Sequence, residues 1–348
     1  MNRVAHGASF GAMTIRLILA IASTVLSGAA QAADLAAKDA PGLTAALDAA
    51  RAGDRIVLAP GAYGALTIGP RRGRGAVTLT ASDPRGPPVF QSILVRDADD
   101  LTFENLIVTL GPATAPLSTY AIEIRRSARV RLEGLTVSSA ANGVSGDDGY
   151  GVFIRDSQSV NVVASRLHDV FRGIAVFDSD DVGISGNTIT RAGSDGVVAR
   201  GAVRLTIENN SVTEFDPVDP VRWHPDAIQL WSRGASRANE AIVIRGNTIA
   251  RGKGRPAQGI FIKSPEIASR GILIDGNAID QSMGQGIFVQ NGEDVLIRGN
   301  SLRTVEPVLH PPAIEVRLPF ANARVENNVA PVFRLPEGVL AHGNRKPG

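Results

Sequence analysis

Ten residues near the middle of the chain, RWHPDAIQLW from Arg222 to Trp231, bring together His224, Asp226, Gln229 and both tryptophans of the chain, Trp223 and Trp231. Imidazole exchanges protons near neutral pH, a carboxyl group can hold or return one, and indole offers a flat apolar face. Asp195, in SDGVVAR, stands in the same place before its own apolar run as Asp226. Arg200 and Lys263 close the runs GVVAR and GIFIK, and Tyr150 precedes GVFIR. This set suits abstraction of a proton next to a carboxylate. His224 is the base, Arg200 and Lys263 neutralise the carboxylate, and Tyr150 is the proton donor. Asp195 and Asp226 also satisfy the two-carboxylate requirement of glycosidic hydrolysis. Alternatively, with Asp216 or Asp219 from the same loop, they are an oxygen-rich set for Ca²⁺.

Residues so far apart in sequence need a scaffold that returns the chain to the same place. One pattern does this repeatedly: ISGNTI at Ile184, IENNSV at Ile207, IRGNTI at Ile244, IDGNAI at Ile274 and IRGNSL at Ile297. Looser copies lie at Phe103, Leu132, Val163 and Val325. A second apolar alternation follows each copy, from AIEIR at Ala121 to AIEVR at Ala313. Both runs alternate with period two and are rich in Val and Ile, as strands are. A unit of about 22 residues cannot bury its apolar face alone, so the units must stack. The predicted fold is all-β: a single-stranded right-handed parallel β-helix, with the repeated Asn pointing inward to bond to backbone and to each other. A short helix near residues 42–52 is expected to cap its open end. The expected cap spans about 33–70, the coils about 75–330 and a tail 331–348.

In such a stack the second run presents two outward columns. The first is Glu123, Phe153, Ala175, Val198, Gln229, Phe261, Phe288 and Glu315. The second is Arg125, Arg155, Phe177, Arg200, Trp231, Lys263, Gln290 and Arg317. The second column carries five cations and no acid, which a purely structural face would mix. It reads as a long groove for a polyanion. Arg125, Arg155, Arg317, Arg222 and Gln229 are expected to hold polar groups, with Phe153, Phe261, Phe288, Trp223 and Trp231 lying flat against sugar rings.

The remaining composition narrows the classes. Formal net charge is only +2, which gives no case for nucleic acid, and the absence of cysteine excludes disulfides, thiolate metal sites and a cysteine nucleophile. Arg16, the run LILAIASTVL and the small residues ending at Ala30-Gln31-Ala32 form a leader pattern, so residues 1–32 are expected to be a signal peptide and 33–348 the mature domain. That implies a bacterial periplasmic or secreted protein, free of the membrane after cleavage, and we expect a monomer.

AARAGDRIVLAPGAYGALTI (Ala49 to Ile68) resembles the N-terminal cap of the chondroitinase B and alginate lyase β-helix family. The GN-x-I coils resemble the wider group of β-helix carbohydrate-active proteins, mannuronan C5-epimerases included. The lyase resemblance implies a groove lysine and a downstream arginine as the catalytic pair, with Ca²⁺ at the substrate carboxylate. FIKSPE supplies Lys263 for the first role, and Arg270 and Arg298 are candidates for the second. FDPVDPVRWHPDA carries the ingredients of the epimerase Asp-Pro-His-Asp segment in another order. Together these readings predict a uronate polysaccharide lyase. The alternatives are a C5-epimerase, a glycoside hydrolase and a non-catalytic polysaccharide-binding or export protein.

Overall fold

Each turn of the chain contains three short parallel strands, one more than the two alternating runs recognised in the sequence. One coil reads Tyr150–Arg155, Gln158–Val163 and Arg166–His168; the next reads Arg172–Phe177, Asp180–Ser185 and Thr188–Thr190. Every strand pairs in parallel with its counterpart one coil on. The result is a parallel β-solenoid of about nine turns, seen here in a computed structural model that describes residues 1, 32–111, 118–139, 149–217, 219, 224–281, 283–306 and 308–348. The expected leader falls almost wholly on residues 2–31, outside the described residues.

Alternation sorts the side chains as period two requires. In the coil above, Val152, Ile154, Val160, Val162 and Leu167 are all buried in one continuous core. Each such side chain stabilises the fold by roughly 1.5–3 kcal/mol when fully buried, and the stacking of coils supplies the partners that one coil lacks.

The repeated asparagine explains the corner between the second and third strands. Asn187 Nδ2 donates to Val162 O at 2.9 Å and to Asn210 Oδ1 at 3.0 Å, and the same oxygen accepts from Asn187 N at 2.9 Å. The pattern continues through Asn247, Asn277, Asn300 and Asn328 to Asn344. The residue before each rung has a left-handed backbone: Gly186, Asn209, Gly246, Gly276, Gly299 and Asn327 have φ between 55° and 65°. Glycine and asparagine tolerate that region best, hence the recurring GN and NN pairs. The rung at Asn344 corrects one expectation. Residues 331–348 are not a tail, because Val332–Arg334 and Leu340–His342 both pair with Ala313–Glu326 and extend the solenoid.

At the other end the helix runs from Ala40 to Ala49, slightly earlier than expected. Asp39 caps it, accepting from Gly42 N at 2.8 Å, and Pro41 occupies the first turn where no N–H is needed. Leu43 and Ala46 are buried against the first coil.

Candidate active site

The two outward columns form as the alternation requires. Glu123 pairs with Phe153, Phe153 with Ala175, Ala175 with Val198, Val198 with Gln229, Gln229 with Phe261, Phe261 with Phe288 and Phe288 with Glu315. The second column is in register too, from Arg125 through Arg155, Phe177 and Arg200, and again from Trp231 through Lys263 and Gln290 to Arg317.

Charge is not uniform along it. Near the ends, the cations are already engaged by acids of their own strand or turn: Arg125 with Glu123, Arg155 with Asp156 at 3.4 Å, and Arg317 with Glu315. Arg200, Arg233 and Lys263 form no ion pair among the described residues. Arg200 lies over the Phe177 ring at 4.5 Å, while Arg233 and Lys263 lie 5.7 and 5.5 Å from the Trp231 ring. The groove expected to run the length of the solenoid is therefore cationic chiefly over the strands from Arg172–Phe177 to Gln258–Lys263, about 14 Å at the usual strand spacing.

The aromatic expectation also changes. Phe261 and Phe288 stack at 4.7 Å with 12° between their planes, and Phe153 stacks on Tyr120 at 4.4 Å. Strand spacing is close to the thickness of a stacked ring pair, so the rings cover one another's faces. Phe153, Phe261 and Phe288 are buried and offer no free face to a sugar. Trp231, at the end of the Phe261 stack, is partly exposed. Arg222 and Trp223 lie outside the described residues.

At the start of each groove strand the alternation breaks. A Cβ on Gly173 would lie 2.3 Å from Gly196 O and 2.9 Å from Ile189 Cγ2; one on Gly196 would lie 2.6 Å from Ala227 O. At Gly173 and Gly196 the next coil leaves no room for a Cβ, whereas the equivalent position of the Asp226–Trp231 strand carries Ala227. The residue just before then faces the groove side although period two would turn it inward. That corner column is Tyr150, Arg172, Asp195 and Asp226, with Tyr150 directly paired to Arg172.

These four form a network. Arg172 Nε is 2.8 Å from Asp195 Oδ2, and Arg172 Nη1 donates to the Tyr150 hydroxyl at 2.8 Å. Asp195 Oδ1 accepts from Asp226 N at 3.3 Å, and Gln229 Nε2 donates to Asp226 Oδ2. Both aspartates are buried, Asp195 at 2 % and Asp226 at 0 % exposure. Burial raises the proton affinity of both above the ordinary carboxyl range. Arg172 counteracts this at Asp195, whereas the neighbouring Asp195 charge pushes Asp226 further up.

Above the network opens a cleft of about 280 Å³. Its polar lining is Arg172, Arg200, Arg233, His224 and Gln229, and its apolar floor includes Phe177, Val198 and Trp231. None of its described lining residues is acidic. His224 is exposed at its mouth, and the imidazole is close enough to Asp195 to act on its charge.

A profile of the family described as "Right handed beta helix region" matches residues 89–236 and, in an overlapping alignment, 120–304. The chain belongs to that family. The solenoid is similar to an alginate lyase from Paenibacillus sp. str. FPU-7, with a TM-score of 0.56 and 17 % identity over 90 % of this chain and 99 % of that one. It is similar to a mannuronic acid specific family 6 polysaccharide lyase from human gut microbiota (TM-score 0.50, 12 % identity, 89 % and 82 % covered). A GH136 lacto-N-biosidase from Eubacterium ramulus is comparable (TM-score 0.53, 12 % identity, 90 % and 68 % covered). No curated protein sequence matches. At these identities the likeness is one of fold, and the site must be argued from its own residues.

Within this β-helix, the structure brings together His224, Asp226, Asp195, Arg200, Gln229, Trp231 and Tyr150, with Lys263 one strand beyond. It changes the part expected of three of them. Tyr150 is buried and accepts a hydrogen bond from Arg172, which takes it out of reach as a proton donor to substrate. Asp195 and Asp226 lie beneath the cleft and do not line it. Arg172 is the cleft-lining residue missed in the sequence; its signal was a charged residue before the corner glycine of FRGIAVF. Arg270 and Arg298 face other acids, Glu293 and Asp275, away from the groove sheet. For Ca²⁺ the described residues offer a poor fit. Asp216 pairs with Arg191 at 3.3 Å, and among the described residues no three acidic or histidine side chains converge as a metal site.

Proposed function

We propose that the protein is a lyase that cleaves an acidic, uronate-containing polysaccharide by β-elimination at the Trp231 coil. The observation that carries this reading is the lining of the cleft: guanidinium groups and an imidazole face the ligand, while the nearest carboxyl groups are buried beneath them. A uronate carboxylate fits between Arg172, whose Nη2 is left over from its contacts with Asp195 and Tyr150, and the fork of Arg200, unpaired among the described residues, and the two cations stabilise the enolate-like anion. His224 removes the proton from C5. The C5–H and C4–O4 bonds break, a C4=C5 double bond forms, and the imidazolium returns its proton to the departing O4. Gln229 and Trp231 hold the neighbouring ring, and Lys263 meets the next carboxylate. No step is routed through Ca²⁺.

The fold relatives support a carbohydrate substrate, since they are named as polysaccharide lyases and glycoside-active enzymes. A second reading, glycoside hydrolysis, would use the Asp195–Asp226 pair on neighbouring coils, with Asp226 of raised proton affinity as the acid, and requires both to reach the cleft from beneath it. Incubation with alginate, pectate and glycosaminoglycans separates them. The lyase produces ultraviolet absorbance from unsaturated uronate ends. New reducing ends without that absorbance indicate hydrolysis, and solvent deuterium at C5 without either indicates epimerisation. Export belongs to the same proposal, and N-terminal sequencing of the mature protein should begin at Ala33.

A further inference from the structure

Arg71 lies under the N-terminal helix, far from the cleft. The residue is 4 % exposed, and its backbone N donates to Asp97 O at 3.1 Å. Nη1 donates to Leu47 O at 3.3 Å, in the last turn of the helix. Nε and Nη2 are buried and find no hydrogen-bond partner in the protein, and no described carboxylate lies within ion-pair distance. A buried guanidinium edge left in this state is costly. Burial, and then the neighbouring Arg74 charge, disfavour its protonated form further.

The same edge has a consistent use elsewhere in this chain. Arg126 places Nε and Nη2 on the two oxygens of Asp97 at 2.9 and 2.8 Å. Arg129 does so on Asp100 at 2.6 and 2.9 Å, and Arg303 on Asp280 at 2.9 and 2.7 Å. Arg71 instead lines a cavity of about 230 Å³ between the helix and the strand Ala62–Ile68, together with Thr44, Leu66, Ile68 and Arg74. Asp48 lines it too. Its backbone oxygen accepts from Arg74 Nη2 at 3.2 Å, but its carboxylate pairs with neither arginine.

We infer that this cavity binds a small carboxylate anion, gripped on both oxygens by Nε and Nη2 of Arg71, with Arg74 as a second cation. It is independent of the catalytic proposal. Six strand spacings, about 29 Å, separate it along the sheet from the Trp231 coil. Occupancy joins the capping helix to the first coil and so stabilises the open end of the solenoid.

Thermal unfolding of the full chain in acetate, in glucuronate and in chloride at matched ionic strength tests this. The expected result is a saturable rise in Tm with carboxylates, absent in chloride, retained in Arg200→Ala and shifted to at least tenfold higher concentration in Arg71→Gln. A rise with both ligands assigns the site to any free carboxylate, and a rise with glucuronate alone assigns it to a sugar acid. If Arg71→Gln does not fold, the exposed Arg74→Ala replaces it, and a severalfold weaker midpoint is expected. No carboxylate-specific rise, or a midpoint unchanged by these substitutions, overturns the inference.

Discussion

Arg172 stands between Asp195, 2.8 Å from its Nε, and the hydroxyl of Tyr150, which accepts from its Nη1 at 2.8 Å. The guanidinium is thus held from two sides while it lines the cleft. Asp195 acts through Arg172 and positions it. Asp195→Ala should lower kcat/KM by about 10²-fold or more, as misplacement of a positioning group does, and should cost about 3–5 kcal/mol of stability because a buried partner is removed. Arg172→Lys should not restore activity, since an ammonium cannot reproduce the fork. Steady-state kinetics and denaturant unfolding of both variants check this.

Asp226 carries a pH signature. Its proton affinity is raised by burial and then by Asp195. A carboxyl group raised in the folded state contributes its full stabilisation below the unfolded value, near 3.9. That contribution is lost as pH rises through the folded value. The wild-type Tm should therefore decline as pH rises above about 4, and Asp226→Asn should flatten the decline. Parallel Tm profiles for the two proteins would contradict the assignment.

Much of the fold was legible in the sequence. Period-two alternation predicted the partners in both outward columns, because a strand with one buried face cannot slip by a residue without exposing its core. The asparagine ladder was legible for the same reason, as its spacing recurs. Arg172 was not, because it sits at a corner where the alternation fails and only the following glycine marks the place. Phe261 and Phe288 were correctly expected to face outward, but alternation does not show that neighbouring rings one coil apart will cover each other.

The corner glycines should resist any side chain. Gly173→Ala places a Cβ 2.3 Å from a backbone oxygen, which cannot rotate away. Destabilisation of about 1–3 kcal/mol is expected from overpacking, together with lost activity because Arg172 is the preceding residue. Unfolding midpoints and turnover should fall together.

Asn247 tests the ladder. It accepts from Asn210 N and Nδ2 and donates to Ile207 O and Asn277 Oδ1. Asn247→Ala leaves buried partners unmet on both neighbouring coils, at about 1–3 kcal/mol for each. Denaturant unfolding should show a loss larger than that of any exposed substitution.

Trp231 and Phe288 should separate binding from stability. Trp231→Ala should raise KM with little change in Tm. Phe288→Ala, which empties a buried site under Arg317, should cost about 3–5 kcal/mol and leave KM nearly unchanged. Equal effects on KM would contradict the division between free and stacked rings.

The central claim is that His224 takes the C5 proton in the cleft at the Trp231 coil. The direct measurement is ultraviolet absorbance during incubation of wild type and His224→Ala with alginate, pectate and glycosaminoglycans, with binding of the same polymers followed in parallel. The account predicts rising absorbance for wild type on at least one uronate polymer, and loss of that rise by about 10²-fold or more in His224→Ala with binding retained. A wild type that binds without any rise, or a His224→Ala variant that turns over at the wild-type rate, would contradict it.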